Sequence, residues 1–240
     1  MNSPELWVLT VSPAQRRAEA VSLFESMHID PGHRVTVTTQ PHPIEDASDL
    51  GELLVYPGTD INISKWWSLG LDFIQATMVA QGVKEWDVLV MESDARMTRE
   101  DVETVRSTMR HVGVSMAGAD WHHILKPGEW YARLDNKQWI PAGFGADQAR
   151  LPGMALVVAG ERGLRHDHEM RWWLADDDFE WQHRINGGTV LVGGTTMRHE
   201  GTQGPLVGER LEAFREDQVK FLEKWGGLPE NGGVPEEAKS

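Results

Sequence analysis

The chain has 240 residues, and its 23 Lys and Arg against 37 Asp and Glu give a formal net charge of −14. With 40% apolar residues and 24 glycines, its composition is that of a folded globular protein, which excludes collagen-like, disulfide-stapled and wholly disordered classes. No cysteine is present, so thiol catalysis and Cys-ligated zinc are excluded. The acidic balance argues against coating nucleic acid by charge alone but leaves a local basic groove open.

The sequence contains no predicted membrane or export segment. Its apolar runs are far shorter than the roughly 20 residues that span a bilayer. The N-terminus lacks a basic region and continues directly into a predicted strand, unlike a signal peptide. We therefore predict a cytoplasmic protein with no membrane partner.

In the first half of the chain, short apolar runs alternate with helical patterns. Strands are predicted at 6–11, 34–39, 53–56, 88–91 and 112–117, and helices begin near residues 13, 62 and 98. The helix after Asn62 carries Trp67, Leu71, Ile74 and Met78 on one face. This alternation predicts an α/β fold whose mostly parallel central sheet has helices on both faces.

The second half is less regular. Residues 119–153 are predicted to be a long loop that takes part in binding. Strands follow at 155–158 and 189–192, with helices at 176–185 and near 206–225. The Gly-, Pro- and Glu-rich residues 226–240 are predicted to be disordered. Because no linker divides the chain, we expect a single domain.

Glu92, Ser93 and Asp94 directly follow a predicted buried strand. In open α/β sheets, ligands bind at the carboxyl ends of the strands. Acidic residues one position apart in an extended chain project to the same side, so Glu92 and Asp94 are placed to share a hard divalent cation. The alternative is a strand end that carries acidic residues for solubility.

A second acidic cluster opens the helix predicted at 176–185. It contains Asp177, Asp178 and Glu180, and two tryptophans, Trp172 and Trp173, precede it. Acidic residues are favoured at a helix N-terminus, so the alternative is that these are surface residues stabilised by the helix dipole, with no catalytic role. Adjacent carboxylates near aromatic rings also raise a carboxyl pKa, which suits a general base.

Together, these clusters resemble the motifs of a known enzyme family. Residues 88–97 (VLVMESDARM) resemble the strand and acidic DxD motif of GT-A-type glycosyltransferases of the broad family-2-like group. Residues 177–184 (DDFEWQHR) resemble that group's later ED-x-D/E…R motif. The pair Gly187-Gly188, a strand and then His199 resemble its closing glycine, strand and metal-binding histidine.

Further segments extend the resemblance over roughly residues 5–200. Residues 6–13 (LWVLTVSP) and 62–74 (NISKWWSLGLDFI) are similar to the family's first strand and to the helix before the DxD strand. The 11 tryptophans resemble the composition of glycosyltransferases encoded by actinobacterial phages, which would place the protein in the host cytoplasm.

The resemblance implies a nucleotide-sugar donor, uridine-linked by family habit, bound over residues 1–118. Asp94 and His199 would hold Mn²⁺ or Mg²⁺, and the nitrogen ligand favours Mn²⁺. Because this motif begins with Glu rather than Asp, Glu92 would contact the ribose or a ligand-bound water, or serve as a further metal ligand. The other donor-binding residues would be Thr10, Val11, Ser12, Gln40, Lys65 and Ser93, although Lys65 also fits a solvated surface lysine.

The resemblance assigns catalysis and acceptor binding to residues 119–205, followed by a C-terminal helix and tail at 206–240. Asp178 or Asp177 would take the proton from the acceptor hydroxyl, with inversion of configuration. Trp172, Trp173 and Glu180 would bind the acceptor, which is a hydroxyl of a glycan, a protein or a modified nucleobase. The sequence leaves the oligomeric state open.

Three alternatives remain at this stage. A metal-dependent phosphohydrolase also combines clustered aspartates with a histidine. A non-catalytic carbohydrate-binding or virion-associated protein would explain the tryptophans. A transferase that acts on modified DNA bases is a variant of the first hypothesis, and the net charge of −14 weighs against it.

Overall fold

The computed structural model describes residues 4–41, 43–46, 48–133, 150–201 and 207–229. The strands are β1 (Glu5–Val11), β2 (Arg34–Thr39), β3 (Glu52–Tyr56), β4 (Trp86–Met91), β5 (Ala95–Met97), β6 (Met116–Ala119), β7 (Trp130–Arg133), β8 (Ala155–Ala159), β9 (Thr189–Val192) and β10 (Met197–His199). The α-helices are α1 (Arg17–Ser26), α2 (Ile63–Ala80), α3 (Arg99–Val112), α4 (Ala175–Ile185) and α5 (Glu209–Trp225).

Eight strands form one mixed central sheet in the order β3-β2-β1-β4-β8-β6-β9-β7. Of the seven neighbouring pairs in the described part of this sheet, four are parallel and three are antiparallel. Strand β8 from the second half of the chain lies between β4 and β6 from the first half. The two halves therefore share one sheet, which confirms the prediction of a single α/β domain.

Helices cover both faces of this sheet. On one face, α1 and α3 bury Leu23, Phe24, Val102, Val105 and Met109 in one apolar cluster with residues of the sheet, and α3 packs against β6, β8 and β9. On the other face, α2 buries the predicted stripe of Trp67, Leu71, Ile74 and Met78, and Phe179 of α4 joins the same cluster. The apolar periodicity of these helices thus places them as predicted.

The C-terminal helix α5 packs on α4 rather than on the sheet. Phe221 and Trp225 of α5 form a separate cluster with Trp181, Met170 and Leu174. The ring centroids of Trp181 and Phe221 are 4.8 Å apart in an edge-on arrangement. Within the described residues, no helix combines the length and apolar character needed to cross a bilayer.

Several boundaries differ from the sequence prediction. The strand predicted at 112–117 begins only at Met116, because α3 continues to Val112 and Gly113 ends it in the left-handed conformation (φ 80°). The loop predicted at 119–153 contains edge strand β7, whose antiparallel partner is β9. Residues 134–149 of that loop and the tail residues 230–240 lie outside the described residues.

Candidate active site

A cavity of about 600 Å³ opens at the carboxyl ends of β1, β2 and β4. These three strands are parallel neighbours, so their ends meet at one edge of the sheet. The segments before α2 and α4 and strand β10 enclose the cavity. Its lining includes Val11, Arg16, Thr39, Gln40, Asp60, Trp66, Trp67, Glu92, Ser93, Asp94, Arg150, Gly153, His166, Trp172, Trp173, Asp176, His199 and Arg210.

The structure brings together the three residues that were predicted as metal ligands. After β4, the chain turns at Glu92 and Asp94 into β5, which pairs antiparallel with β10 so that His199 lies opposite Ala95. His199 Nε2 is 3.2 Å from Glu92 Oε2 and 3.3 Å from Asp94 Oδ1. One donor atom from each of the three residues lies within 4.8 Å of the others.

This donor set fits a divalent cation. Two ligands held at roughly 2.1 Å from one ion and at right angles to each other lie about 3 Å apart, close to the separations found here. Asp94 Oδ1 is buried and accepts no hydrogen bond from the described residues. The hydrogen bond that His199 Nε2 donates to the Glu92 carboxylate raises the pKa of His199, so a cation would compete with a proton for this imidazole.

Arg16 brings positive charge to the same edge. Its Nη1 donates to Asp94 Oδ2 at 2.5 Å, and its side chain remains 41% exposed. Arg16 lies in a short 3-10 turn (Ala14–Arg16) between β1 and α1. The guanidinium is therefore positioned beside the acidic cluster, where it could also meet an anionic ligand.

The second acidic cluster is divided by the geometry of α4. Asp176 lines the cavity, and its carboxylate lies so close to Gly153 that a Cβ added there would be 1.8 Å from Asp176 Oδ2. Asp177 is buried and bonded to Arg150. Asp178 is fully buried and does not line the cavity.

Asp178 instead joins α4 to α5. Its Oδ2 accepts from Gln182 Nε2 at 2.7 Å, and its Oδ1 accepts from Trp225 Nε1 at 2.7 Å. Lys224 Nζ lies 2.8 Å from the same Oδ1. This arrangement uses the carboxylate in docking the C-terminal helix, so its position does not support the predicted role of Asp178 as a base.

Glu180 is also turned away from the cavity. It is buried and forms an ion pair with Arg184 at 2.7 Å and with Arg133 at 3.1 Å. The backbone N–H of Leu151 donates to its other oxygen at 3.3 Å. Glu180 thus helps to fix the chain near Leu151, at the edge of the cavity, and does not line the cavity itself.

Asp176 has the electrostatic setting that was predicted for its neighbours. Burial raises the pKa of its carboxyl, the nearby Glu92 carboxylate acts in the same direction, and Arg150 opposes both. A carboxyl whose pKa is raised towards neutral is a better general base than an ordinary aspartate. Of the three aspartates, Asp176 is the one in the cavity lining.

The residues predicted for donor binding fall into two groups. Val11, Gln40 and Ser93 line the cavity. Thr10 and Ser12 are fully buried and do not line it. Lys65 is also outside the lining, and its Nζ pairs with Asp60 Oδ2 at 3.1 Å, so the structure favours its alternative interpretation as a surface lysine.

Tryptophans form one wall of the cavity. Trp172 and Trp173 line it as predicted, and Trp66 from α2 joins them. The rings of Trp66 and Trp172 meet edge to face with centroids 6.4 Å apart. The guanidinium carbon of Arg210 lies 5.2 Å from the Trp172 ring centroid, which is within cation–π range.

Sequence reasoning missed several lining residues. Asp176 belongs to the acidic run, and its position in the first turn of α4 could have indicated that it lines the cavity. Side chains of a helix tilt towards its N-terminus, which in α4 faces this cavity. Arg16, shortly after the end of a predicted strand, was a weaker signal. Nothing in the local sequence marks Arg150 or Arg210, since long-range packing brings them to the cavity.

Comparisons with known proteins identify the fold. No protein-family model matches the chain, and no curated protein sequence matches it. The crystal structure of S. aureus TarS 1-349 matches with a TM-score of 0.53 at 8% identity, over 91% of this chain and 65% of that one. TarS 1-349 in complex with UDP-GlcNAc matches with a TM-score of 0.55 at 9% identity, over 91% and 66% of the two chains.

The chain thus spans just under two thirds of the TarS 1-349 structures, and the complex with UDP gives the same TM-score of 0.55. At this level of identity the likeness shows the fold alone. TarS is a GT-A-type glycosyltransferase. The mixed sheet with helices on both faces, and the cavity at the carboxyl ends of its first strands, therefore belong to a chain with the GT-A fold.

Proposed function

We propose that this protein is a metal-dependent glycosyltransferase that moves a sugar from a uridine diphosphate donor to an acceptor hydroxyl. One observation carries the proposal. Glu92, Asp94 and His199 converge with metal-ligand spacing in the same cavity as the carboxylate of Asp176. The complexes of TarS with UDP and UDP-GlcNAc support the choice of a uridine-linked donor.

The donor would lie across the ends of β1, β2 and β4. Val11 and Gln40, which line the cavity, would lie beside the base and ribose, and Ser93 beside the diphosphate. Glu92, Asp94 and His199 would hold Mn²⁺, for which two carboxylates and one imidazole are suitable ligands. These residues would thereby supply a positive charge to neutralise the leaving diphosphate, an effect typically worth several kcal/mol.

The acceptor would enter between the tryptophan wall and Asp176. Asp176 would accept the proton from the acceptor hydroxyl, while Gly153 lies close against its carboxylate and the charge of Arg150 acts on it. A base on the side of the sugar opposite the leaving diphosphate gives inversion of configuration. We assign the role of the base to Asp176 rather than to Asp177 or Asp178. Asp177 is bonded to Arg150, and Asp178 is bonded to residues of α5.

The first expected result concerns ligand binding. UDP with Mn²⁺ at about 100 times its dissociation constant should stabilise the fold by roughly 2.7 kcal/mol in a thermal-shift measurement, and EDTA should abolish the shift. The same panel should include guanosine and adenosine diphosphates, and UDP-sugars should then be tested for transfer. Metal-dependent cleavage of phosphoesters that needs no sugar acceptor would contradict the proposal and favour a phosphohydrolase.

A pair of glycine substitutions tests the two halves of the site separately. In Gly153→Ala, the new Cβ would lie 1.8 Å from Asp176 Oδ2, and in Gly201→Ala it would lie 1.9 Å from Asp94 Oδ2. In Gly201→Ala the clash is with the end of the Asp94 side chain, so little stability should be lost. In Gly153→Ala the new Cβ would also lie 2.8 Å from Asp176 Cβ, so the start of α4 must shift slightly and some stability should be lost. Misplacement by about 1 Å can cost roughly 10²-fold in rate, so we expect such a fall in kcat for Gly153→Ala.

The two variants serve as controls for each other. Gly153→Ala should retain Mn²⁺-dependent UDP binding, whereas Gly201→Ala should lose much of it, as measured by titration calorimetry. Loss of UDP binding in Gly153→Ala alone would contradict the division between an acceptor-side base and a donor-side metal site.

A further inference from the structure

A buried carboxylate of the C-terminal helix holds the main chain of the tryptophan wall. Asp217 of α5 has no exposed surface. Its Oδ1 accepts from the backbone N–H of Arg171 at 2.8 Å, and its Oδ2 accepts from those of Trp172 and Trp173 at 2.7 Å and 3.1 Å. We call this arrangement of one carboxylate and three consecutive amides the Asp217 clamp.

The clamped segment is part of the cavity. Trp172 and Trp173 line it, and Asp176 follows three residues later at the start of α4. On the other side, the backbone N–H of Ile63 donates to the carbonyl oxygen of Arg171 at 2.8 Å. The main chain at 171–173 is therefore fixed from two directions, by the start of α2 and by α5.

The clamp consists of directed hydrogen bonds and not of apolar packing. Hydrogen bonds to an ionised carboxylate are about twice as strong as neutral ones, and three of them converge here on one side chain. The indole rings of Trp172 and Trp173 make their own contacts, with Trp66 and Phe214 respectively. The three hydrogen bonds to Asp217 come from main-chain N–H groups, so Asp217 fixes the backbone positions from which the two indole side chains extend.

We propose that Asp217 is a positioning residue, which holds the main chain of Trp172 and Trp173 so that this wall binds the acceptor. The proposal rests on the proposed function, because it takes the side of the cavity next to Asp176 as the acceptor subsite. It makes α5 a functional part of the site, although Asp217 does not itself line the cavity.

The substitution Asp217→Asn tests the clamp with little change in shape. An asparagine keeps one acceptor oxygen, and its NH₂ group would face at least one backbone N–H that now donates to a carboxylate. We expect faster hydrogen exchange at the amides of 171–173. With the best acceptor from a panel of methyl glycosides, we expect the acceptor KM to rise about tenfold and the UDP-sugar KM to stay unchanged.

Two controls separate positioning from simple loss of stability. Glu216→Gln alters the neighbouring residue, which is exposed and pairs with the Arg171 guanidinium at 3.0 Å but not with the backbone of 171–173, so it should change neither exchange nor KM. Phe221→Leu weakens the packing of α5 on Trp181 without touching the clamp. At comparable loss of thermal stability, it should leave the acceptor KM unchanged.

Each outcome bears on the proposal. Unchanged amide exchange in Asp217→Asn, an unchanged acceptor KM, or an equal rise in KM for Phe221→Leu would overturn it. Absence of transfer by the wild-type protein would contradict the proposed function and the acceptor role with it. The exchange measurement would then still decide whether Asp217 fixes the main chain at 171–173.

Discussion

Replacing Asp176 with asparagine is expected to lower kcat by about 10²–10⁴-fold, the usual contribution of a general base. Asparagine has nearly the same shape as aspartate but cannot accept the proton of the acceptor hydroxyl. Because Asp176 is not one of the three metal-ligating residues, Mn²⁺-dependent UDP binding should be retained. Steady-state kinetics with saturating donor, together with calorimetric UDP titration, measures both quantities.

Asp178→Asn is the matched control, since it makes the same chemical change two residues away. It removes the ion pair with Lys224, and we expect the free energy of unfolding to fall by about 1.5–3 kcal/mol, a typical value for charged hydrogen bonds. Its kcat should change little. A collapse of kcat in Asp178→Asn with normal turnover in Asp176→Asn would restore Asp178 as the base.

The second large effect is expected at the metal site. Asp94→Asn removes a negative charge from the ligand group and disrupts the buried carboxylate between Arg16 and His199. We expect the stabilisation by Mn²⁺ and UDP, roughly 2.7 kcal/mol at 100 times the dissociation constant, to disappear from thermal-shift measurements. Transfer should be lost with it.

Glu200→Gln provides the corresponding control. It makes the same change of charge directly after His199, but Glu200 is exposed and pairs with Arg96 at 3.4 Å. Its Mn²⁺-dependent shift should match that of the wild type. Equal shifts in Asp94→Asn and the wild type would remove the metal-site assignment.

Much of the fold follows from local patterns in the sequence. The predicted limits of β2 and β9 agree with the structure, and the stripe of α2 from Trp67 to Met78 is buried against the sheet. These elements have strong periodicity or clear caps, such as Asn62, whose side chain accepts from the N–H of Lys65. Strand limits, the buried face of a helix and its N-terminal cap depend mainly on neighbouring residues, so they can be predicted from the local sequence.

The proposed metal ligands were also accessible to sequence reasoning. Glu92 and Asp94 follow a buried strand, and the order of motifs in a family singled out His199. The pairing of β5 with β10 that brings them together was not predicted, because a three-residue strand such as β5 leaves almost no pattern in the sequence. His199 was therefore identified from the order of the motifs and not from hydrophobic periodicity.

The choice among three consecutive aspartates lay beyond the sequence. Successive residues of a helix project about 100° apart, so only one of the three can face a given cavity. Which one does so depends on how α5 docks, because Trp225 and Lys224 take Asp178. Those partners lie nearly fifty residues away, and no local pattern links them to this run.

The pairing of β5 with β10 has a consequence for how the protein matures. It joins segments about one hundred residues apart, so during synthesis the third proposed ligand, His199, can reach the other two only after most of the chain has been made. An ion present during refolding would meet at first only a pair of carboxylates and should therefore leave the early folding rates unchanged. The bound ion would instead slow unfolding. High affinity for the cation would then indicate that a molecule has formed the β5–β10 pairing.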